Sequence, residues 1–132
     1  RGKNLKFIYL NNQTIISKSN ILDENYTNLI FVRRDIKHIE IPSFITRIGS
    51  YAFSNSFLSN VFIGANLLEI LEGAFYNCRA LQFVEFQHES KLQKIEQFSF
   101  CKTSLQILIL PPSVSILSEN WCDNETQKQL TQ

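Results

Sequence analysis

Residues 39–53 read IEIPSFITRIGSYAF, and residues 61–75 read VFIGANLLEILEGAF. The second stretch follows the first by 22 residues and keeps its apolar positions: Ile39 and Val61, Ile41 and Ile63, Ile45 and Leu67, Ile48 and Ile70, Ala52 and Ala74, Phe53 and Phe75. Self-similarity at a fixed period of this size marks an array of small stacked units, and it takes precedence over any local reading. The pattern does not stop at two. Ile36 opens I-x-x-I-x-I-P and Leu58 opens L-x-x-V-x-I-G. Leu81 opens L-x-x-V-x-F, with two inserted residues before Leu92, and Leu105 opens L-x-x-L-x-L-P before the pattern fades into Trp121-Cys122. Four units align.

The spacing dictates a geometry. Within each unit the fourth and sixth residues are apolar and alternate with the third and fifth, so a short strand turns one pair inward and the other outward. Pro42, Gly64 or Pro111 follows at once and ends the strand. The second half, I-x-x-I-G-x-x-A-F in the first unit, suits a tight turn or a single helical turn and is too short for an independent helix. A unit this small cannot cover its own apolar faces. Units must therefore stack and bury columns of like residues: Ile39, Val61, Val84, Leu108; Ile41, Ile63, Phe86, Leu110; Ile48, Ile70, Ile95, Leu117; and Phe53, Phe75, Phe100. A hairpin sandwich would also give alternating strands, but it has no reason to repeat Ala-Phe at a fixed interval.

Composition agrees with one ordered domain. Of 132 residues 44% are apolar and 12% aromatic, enough for a normal core. Thirteen basic against twelve acidic residues leave a net charge of +1, with no charge run beyond Arg33-Arg34, so nothing suggests a nucleic-acid or membrane-surface footprint. No apolar stretch reaches the length of a membrane span, and RGKNLKFIYL at the start is unlike a signal peptide. The chain begins at Arg1 and contains no Met, which reads as part of a longer protein, with any membrane attachment lying outside it.

The combination L-x-x-I-x-I-P followed by I-G-x-x-A-F-x-x-C resembles the BspA-like leucine-rich repeats over residues 29–122. The resemblance implies a leucine-rich repeat solenoid of the α/β horseshoe class, β-rich with little helix, with a parallel sheet on its concave face. It also implies a surface antigen that adheres to host proteins or cells, hence a protein partner such as a matrix or cell-surface protein. Two departures stand out: Gln87 and Glu96 where Pro and Gly are expected, and Trp121-Cys122 in place of Ala-Phe. Residues 1–28 read as a β-rich cap or spacer in which two apolar strands flank Asn11-Asn12 within Phe7 to Ser17. Residues 123–132 read as a polar tail, frayed or helical.

Chemistry is sparse. Cys78, Cys101 and Cys122 form no metal pattern, and their intervals of 23 and 21 residues place them at similar points of successive units. They read as small buried residues between layers, with a disulfide between stacked units as the alternative. His38 and His88 lie away from the cysteines, and no phosphate loop, nucleophile elbow or H-E-x-x-H is present among only four glycines. No enzyme, cofactor, metal or small-molecule substrate is expected. Sequons at Asn12, Asn25 and Asn124 permit an extracellular life without arguing for one.

What remains is the outward face of the strands. It carries two ladders: His38, Asn60, Phe83, Ile107 and Glu40, Phe62, Glu85, Ile109. Phe62, Phe83, Ile107 and Ile109 would form a contiguous apolar strip, a mark of an interaction site. The expected function is non-catalytic protein binding at the cell surface or in secreted form; an intracellular scaffold on the same repeat is the alternative.

Overall fold

The computed structural model describes residues 7–10, 13–18 and 25–130. The Asn11-Asn12 turn, the sequon asparagine Asn12, and residues 1–6 and 19–24 of the expected cap lie outside the described residues. The first elements are β1 (Phe7–Leu10), β2 (Thr14–Ser17) and β3 (Asn28–Val32), an antiparallel run in which Phe7 faces Ser17 and Leu10 faces Thr14. From there every unit gives two strands. The four-residue strands are β4 (His38–Ile41), β6 (Asn60–Ile63), β8 (Phe83–Phe86) and β10 (Ile107–Leu110). The two-residue strands are β5 (Arg47–Ile48), β7 (Glu69–Ile70), β9 (Lys94–Ile95) and β11 (Ile116–Leu117). A last strand, β12 (Gln127–Leu130), closes the chain.

The result is a β-rich solenoid of about four turns with no helix among the described residues. The helical turn allowed for in the second half of each unit is not taken. Each of these halves instead adds a short strand to a second parallel ladder, because two residues paired to both neighbours satisfy backbone groups that one isolated helical turn would leave open. This short row is continuous: β1, β2, β3, β5, β7, β9 and β11 form one seven-stranded sheet. The long row is not. β4, β6 and β8 form one parallel sheet and β10 pairs with β12 in another. The tail expected to fray or coil thus supplies a strand, since β10 has an edge of unpaired N–H and C=O groups that an extended neighbour satisfies.

The columns are the core. Phe53, Phe75 and Phe100 are fully buried and stack nearly parallel, with ring centroids 4.7 and 5.0 Å apart. Trp121 closes the stack edge-on at 6.0 Å from Phe100, filling the place where the Phe column ends. Ile48, Ile70 and Ile95 are equally buried. Val84 and Phe86 are only half-buried, for a reason that lies beside β8.

Sharp reversals between rows need left-handed residues at fixed places. Tyr51, Gly73, Phe98 and Asn120 have φ of 58, 64, 63 and 56°, and Asn55, Asn77 and Lys102 have 61, 60 and 61°. Gly73 has a second reason to be glycine, because a Cβ there would lie 2.2 Å from the Tyr51 ring. The inserted residues of the third unit add a further left-handed turn at Glu89, φ 64°. At the N-terminal side, the Arg34 guanidinium donates to the carbonyls of Val32 (2.9 Å), Ala52 (2.7 Å) and Tyr51 (3.3 Å). It thereby ties β3 to the first full turn.

Candidate functional site

Alternation on the four-residue strands sends Ile39 and Ile41, Val61 and Ile63 toward the core and leaves the first and third residues outside. Their order is set by the parallel register. His38 pairs with Asn60 and Asn60 with Phe83; Glu40 pairs with Phe62 and Phe62 with Glu85. The two carboxylates therefore flank Phe62 rather than face each other. Phe83, Ile107 and Ile109 are 61, 45 and 50% exposed, His38, Glu40 and Glu85 are exposed, and Asn60 and Phe62 are half-buried.

These eight residues gather in two hollows that share a wall. A shallow one of about 400 Å³ takes in His38, Glu40, Asn60, Phe62, Phe83 and Glu85. A deeper one of about 720 Å³ lies between β8 and β10 and is lined by Phe83, Glu85, Ile107 and Ile109 together with Gln82, Ser104 and Gln106. The apolar strip is accordingly not the unbroken sheet surface its spacing suggests. Phe62 and Phe83 stand on one side of an opening, Ile107 and Ile109 on the other.

The opening has a clear cause in hydrogen bonding. At the closed steps Asn60 N–H donates to Lys37 O (3.2 Å) and Phe83 N–H to Ser59 O (3.2 Å). At the third step the contact is Ser104 N–H to Leu81 O (3.0 Å), backed by Ser104 Oγ on Arg79 O. Beyond it no ladder joins β8 to β10. Gln82, Ser104 and Gln106 were not legible as site residues. The available signals were the insertion before Leu92 and Gln87 where the other strands end in Pro or Gly.

The rest of the chain offers little reactive chemistry. Among the described residues no group of His, Cys, Asp and Glu could hold a metal ion. The cysteines do not occupy equivalent points of their turns. Cys78 stacks on Ser56 at 3.5 Å, Cys101 follows Phe100, and Cys122 is the parallel partner of Phe100 itself. The insertion in the third unit produces matching intervals from unmatched positions. All three are free. Cys78 is fully buried and its thiol donates to Phe53 O at 3.0 Å. Burial raises its pKa, partly offset by the Ser56 hydroxyl. Burial, with Asp123 and Cys122 nearby, pushes the Cys101 thiol up to about 11. Both stay protonated at neutral pH and are poor nucleophiles.

A repeat with this register, these columns and two strands per turn matches the model of the BspA type leucine rich repeat region in 6 copies over residues 3–129. The chain belongs to the BspA-type leucine-rich repeat family. No curated protein sequence matches it. Among solved structures, a leucine-rich repeat protein from Bacteroides capillosus is similar at TM-score 0.70 and 18% identity, covering 98% of this chain and 96% of that one. The pneumococcal vaccine antigen PcpA is similar at TM-score 0.61 and 18% identity, covering 97% and 49%. A leucine rich cell surface protein from Faecalibacterium prausnitzii is similar at TM-score 0.60 and 21% identity, covering 96% and 40%. The BspA-type chain thus spans half or less of the latter two, and at these identities the likeness concerns the fold.

Proposed function

We propose that this BspA-type solenoid is a non-catalytic protein-binding module, displayed at the cell surface or secreted, whose binding surface is the outward face of the four-residue strands. The observation that carries this reading is the exposure of Phe83, Ile107 and Ile109 side by side with Glu40 and Glu85. Large apolar side chains left open on a sheet otherwise able to present polar ones are typical of an interaction surface. The names of two similar structures, a cell surface protein and a vaccine antigen, support a place outside the cell, where the partner would be a host protein or cell.

Size sets the affinity. Four rungs spaced ~4.8 Å and four-residue strands of ~13 Å give roughly 190 Å², against about 800 Å² per partner in a standard interface. One chain binds weakly; strong attachment requires a longer array or many copies on one surface. The test is attachment of a cell displaying the full array to matrix proteins or host cells. Phe62→Ala with Phe83→Ala abolishes attachment while circular dichroism stays unchanged, and Arg79→Ala, on the exposed edge, changes neither. Undiminished attachment by the double variant removes this face as the site.

One observation favours a second reading, an intracellular scaffold on the same repeat: none of the three cysteines is in a disulfide, as in reducing compartments. Protease treatment of intact cells separates the two, since a displayed chain is cleaved and an internal one is spared.

A further inference from the structure

We infer that Glu40, Phe62 and Glu85 form a seat for an arginine side chain of a partner protein, its guanidinium lying on the Phe62 ring between the two carboxylates. The inference rests on the reading of this face as a protein-binding surface and says which chemistry of the partner that surface takes.

The three residues are neighbours by register. Glu40 pairs with Phe62 and Phe62 with Glu85, each the third residue of its strand, so alternation puts all three side chains on the outward face. Rungs ~4.8 Å apart set the two glutamate backbones roughly 10 Å from each other, with the aromatic residue between them. All three line one hollow of about 400 Å³, and none of its lining residues is a lysine or an arginine.

Charge says what enters. On and beside the short row the carboxylates are answered within the protein: Arg47 Nε donates to Glu69 at 2.9 Å, Lys94 Nζ lies 3.1 Å from Glu96, and the Tyr51 hydroxyl donates to Glu72 at 3.0 Å. Among the described residues the Glu40 and Glu85 carboxylates have no ion pair and no hydrogen bond. Two unanswered acids on either side of a ring make a negative potential, and the ring face adds its own attraction for a cation. Shape selects the guanidinium. It is planar, stacks on an aromatic face and carries donors along its edges for carboxylates on both sides, whereas an ammonium is a compact, strongly hydrated point charge. Beside the seat Phe83, 61% exposed, offers an apolar contact to the residue next to the arginine.

The test titrates acetyl-Leu-Arg-Leu-amide at low salt into the isotope-labelled 132-residue chain and follows amide and side-chain carboxyl shifts. Two counterparts carry citrulline or lysine in place of arginine; citrulline keeps the shape and removes the charge. Expected shifts concentrate at Glu40, Phe62 and Glu85, the citrulline peptide binds at least tenfold more weakly and the lysine peptide at least threefold. Glu40→Gln with Glu85→Gln, both exposed positions, weakens the arginine peptide at least tenfold while the amide spectrum elsewhere stays unchanged. Glu119→Gln, an exposed acid outside this surface, leaves binding as it was. Equal binding of the arginine and citrulline peptides, shifts confined to other residues, or no shift at tens of millimolar peptide overturns the inference. A lysine peptide that binds as tightly as the arginine one overturns it too, in favour of a site for any cation. If the arginine peptide fails while Phe62→Ala with Phe83→Ala still abolishes attachment, the seat falls and the surface reading stands. If the peptide binds while that double variant attaches normally, the surface reading falls and the seat stands.

Discussion

The two rows of strands meet the same units at the same steps and behave differently. The short row has two residues per strand in β5, β7, β9 and β11 and runs unbroken; the long row has four residues per strand and parts between β8 and β10. More residues available for pairing did not secure pairing. The short row is followed in each turn by the Phe53, Phe75 and Phe100 stack, every member fully buried and in contact with the next. Its outer surface is in register as well, with Arg47 on Glu69 at 2.9 Å and Glu69 paired to Lys94. The long row depends at the third step on Val84 and Phe86, half-buried, and is followed there by an inserted turn at Glu89. The ladder parts beside the strand both of whose inward residues are half-buried.

The comparison breaks first if the aromatic stack is not what holds the short row. Phe75→Ala removes the middle ring and should cost ~3–5 kcal/mol through lost transfer energy and a cavity. Phe83→Ala, 61% exposed, should stay within ~0.5 kcal/mol. Denaturant midpoints of the two variants decide this, and equal losses would reverse the assignment of faces. Next in size is the reversal between the rows. Gly73→Ala places a side chain at φ 64° and 2.2 Å from the Tyr51 ring and should cost ~2 kcal/mol or more. Adding Tyr51→Ala should recover part of this loss, and no recovery in thermal melts would show that the ring contact is irrelevant. Arg34→Ala, which removes three charged hydrogen bonds from the carbonyls of Val32, Ala52 and Tyr51, should cost ~1–2 kcal/mol, seen as loosening of β3 before the inner turns.

The smallest effect is in pH. The Cys101 thiol has its pKa raised from 9.0 to about 11, so the folded state holds its proton more tightly than the unfolded chain does. Its contribution is complete below pH 9 and is lost as pH rises toward 11. A Cys101→Ser variant should flatten the decline in stability over that window, and its wild-type counterpart should alkylate at pH 8 at least tenfold more slowly than a free thiol.

Much of the fold was legible because it is repetitive. A period of 22 residues with Ile-x-x-Ile and Ala-Phe in place fixes strand, turn and inward face together, and the columns it names point inward, buried except at the half-buried Ile39, Val84, Phe86 and Leu117. The second ladder escaped, since two residues such as Arg47 and Ile48 carry no strand pattern of their own and pair only because their neighbours do. β12 escaped for a related reason: Gln127, Lys128 and Gln129 have no apolar alternation, and their pairing with β10 depends on an edge that exists only after the chain has coiled. The outward positions of the eight candidate residues follow from alternation alone, but the opening among them does not, because alternation specifies a face and says nothing of whether adjacent rungs meet. The cysteines show the same limit, as intervals of 23 and 21 residues, close to the repeat, join unequal positions.

The most direct test of a continuous short row beside a parted long one is native-state amide exchange, residue by residue. Phe53 N–H donates to Ala74 O and Phe75 N–H to Ser99 O, each at 2.8 Å, and Gln87 N–H to Ile63 O at 2.8 Å. These three should exchange only through large openings, while Val84 and Phe86, one residue from protected neighbours, should exchange at least about a hundredfold faster. Val84 and Phe86 as slow as Gln87 would mean that β8 and β10 are joined in solution, and the contrast between the rows would be lost.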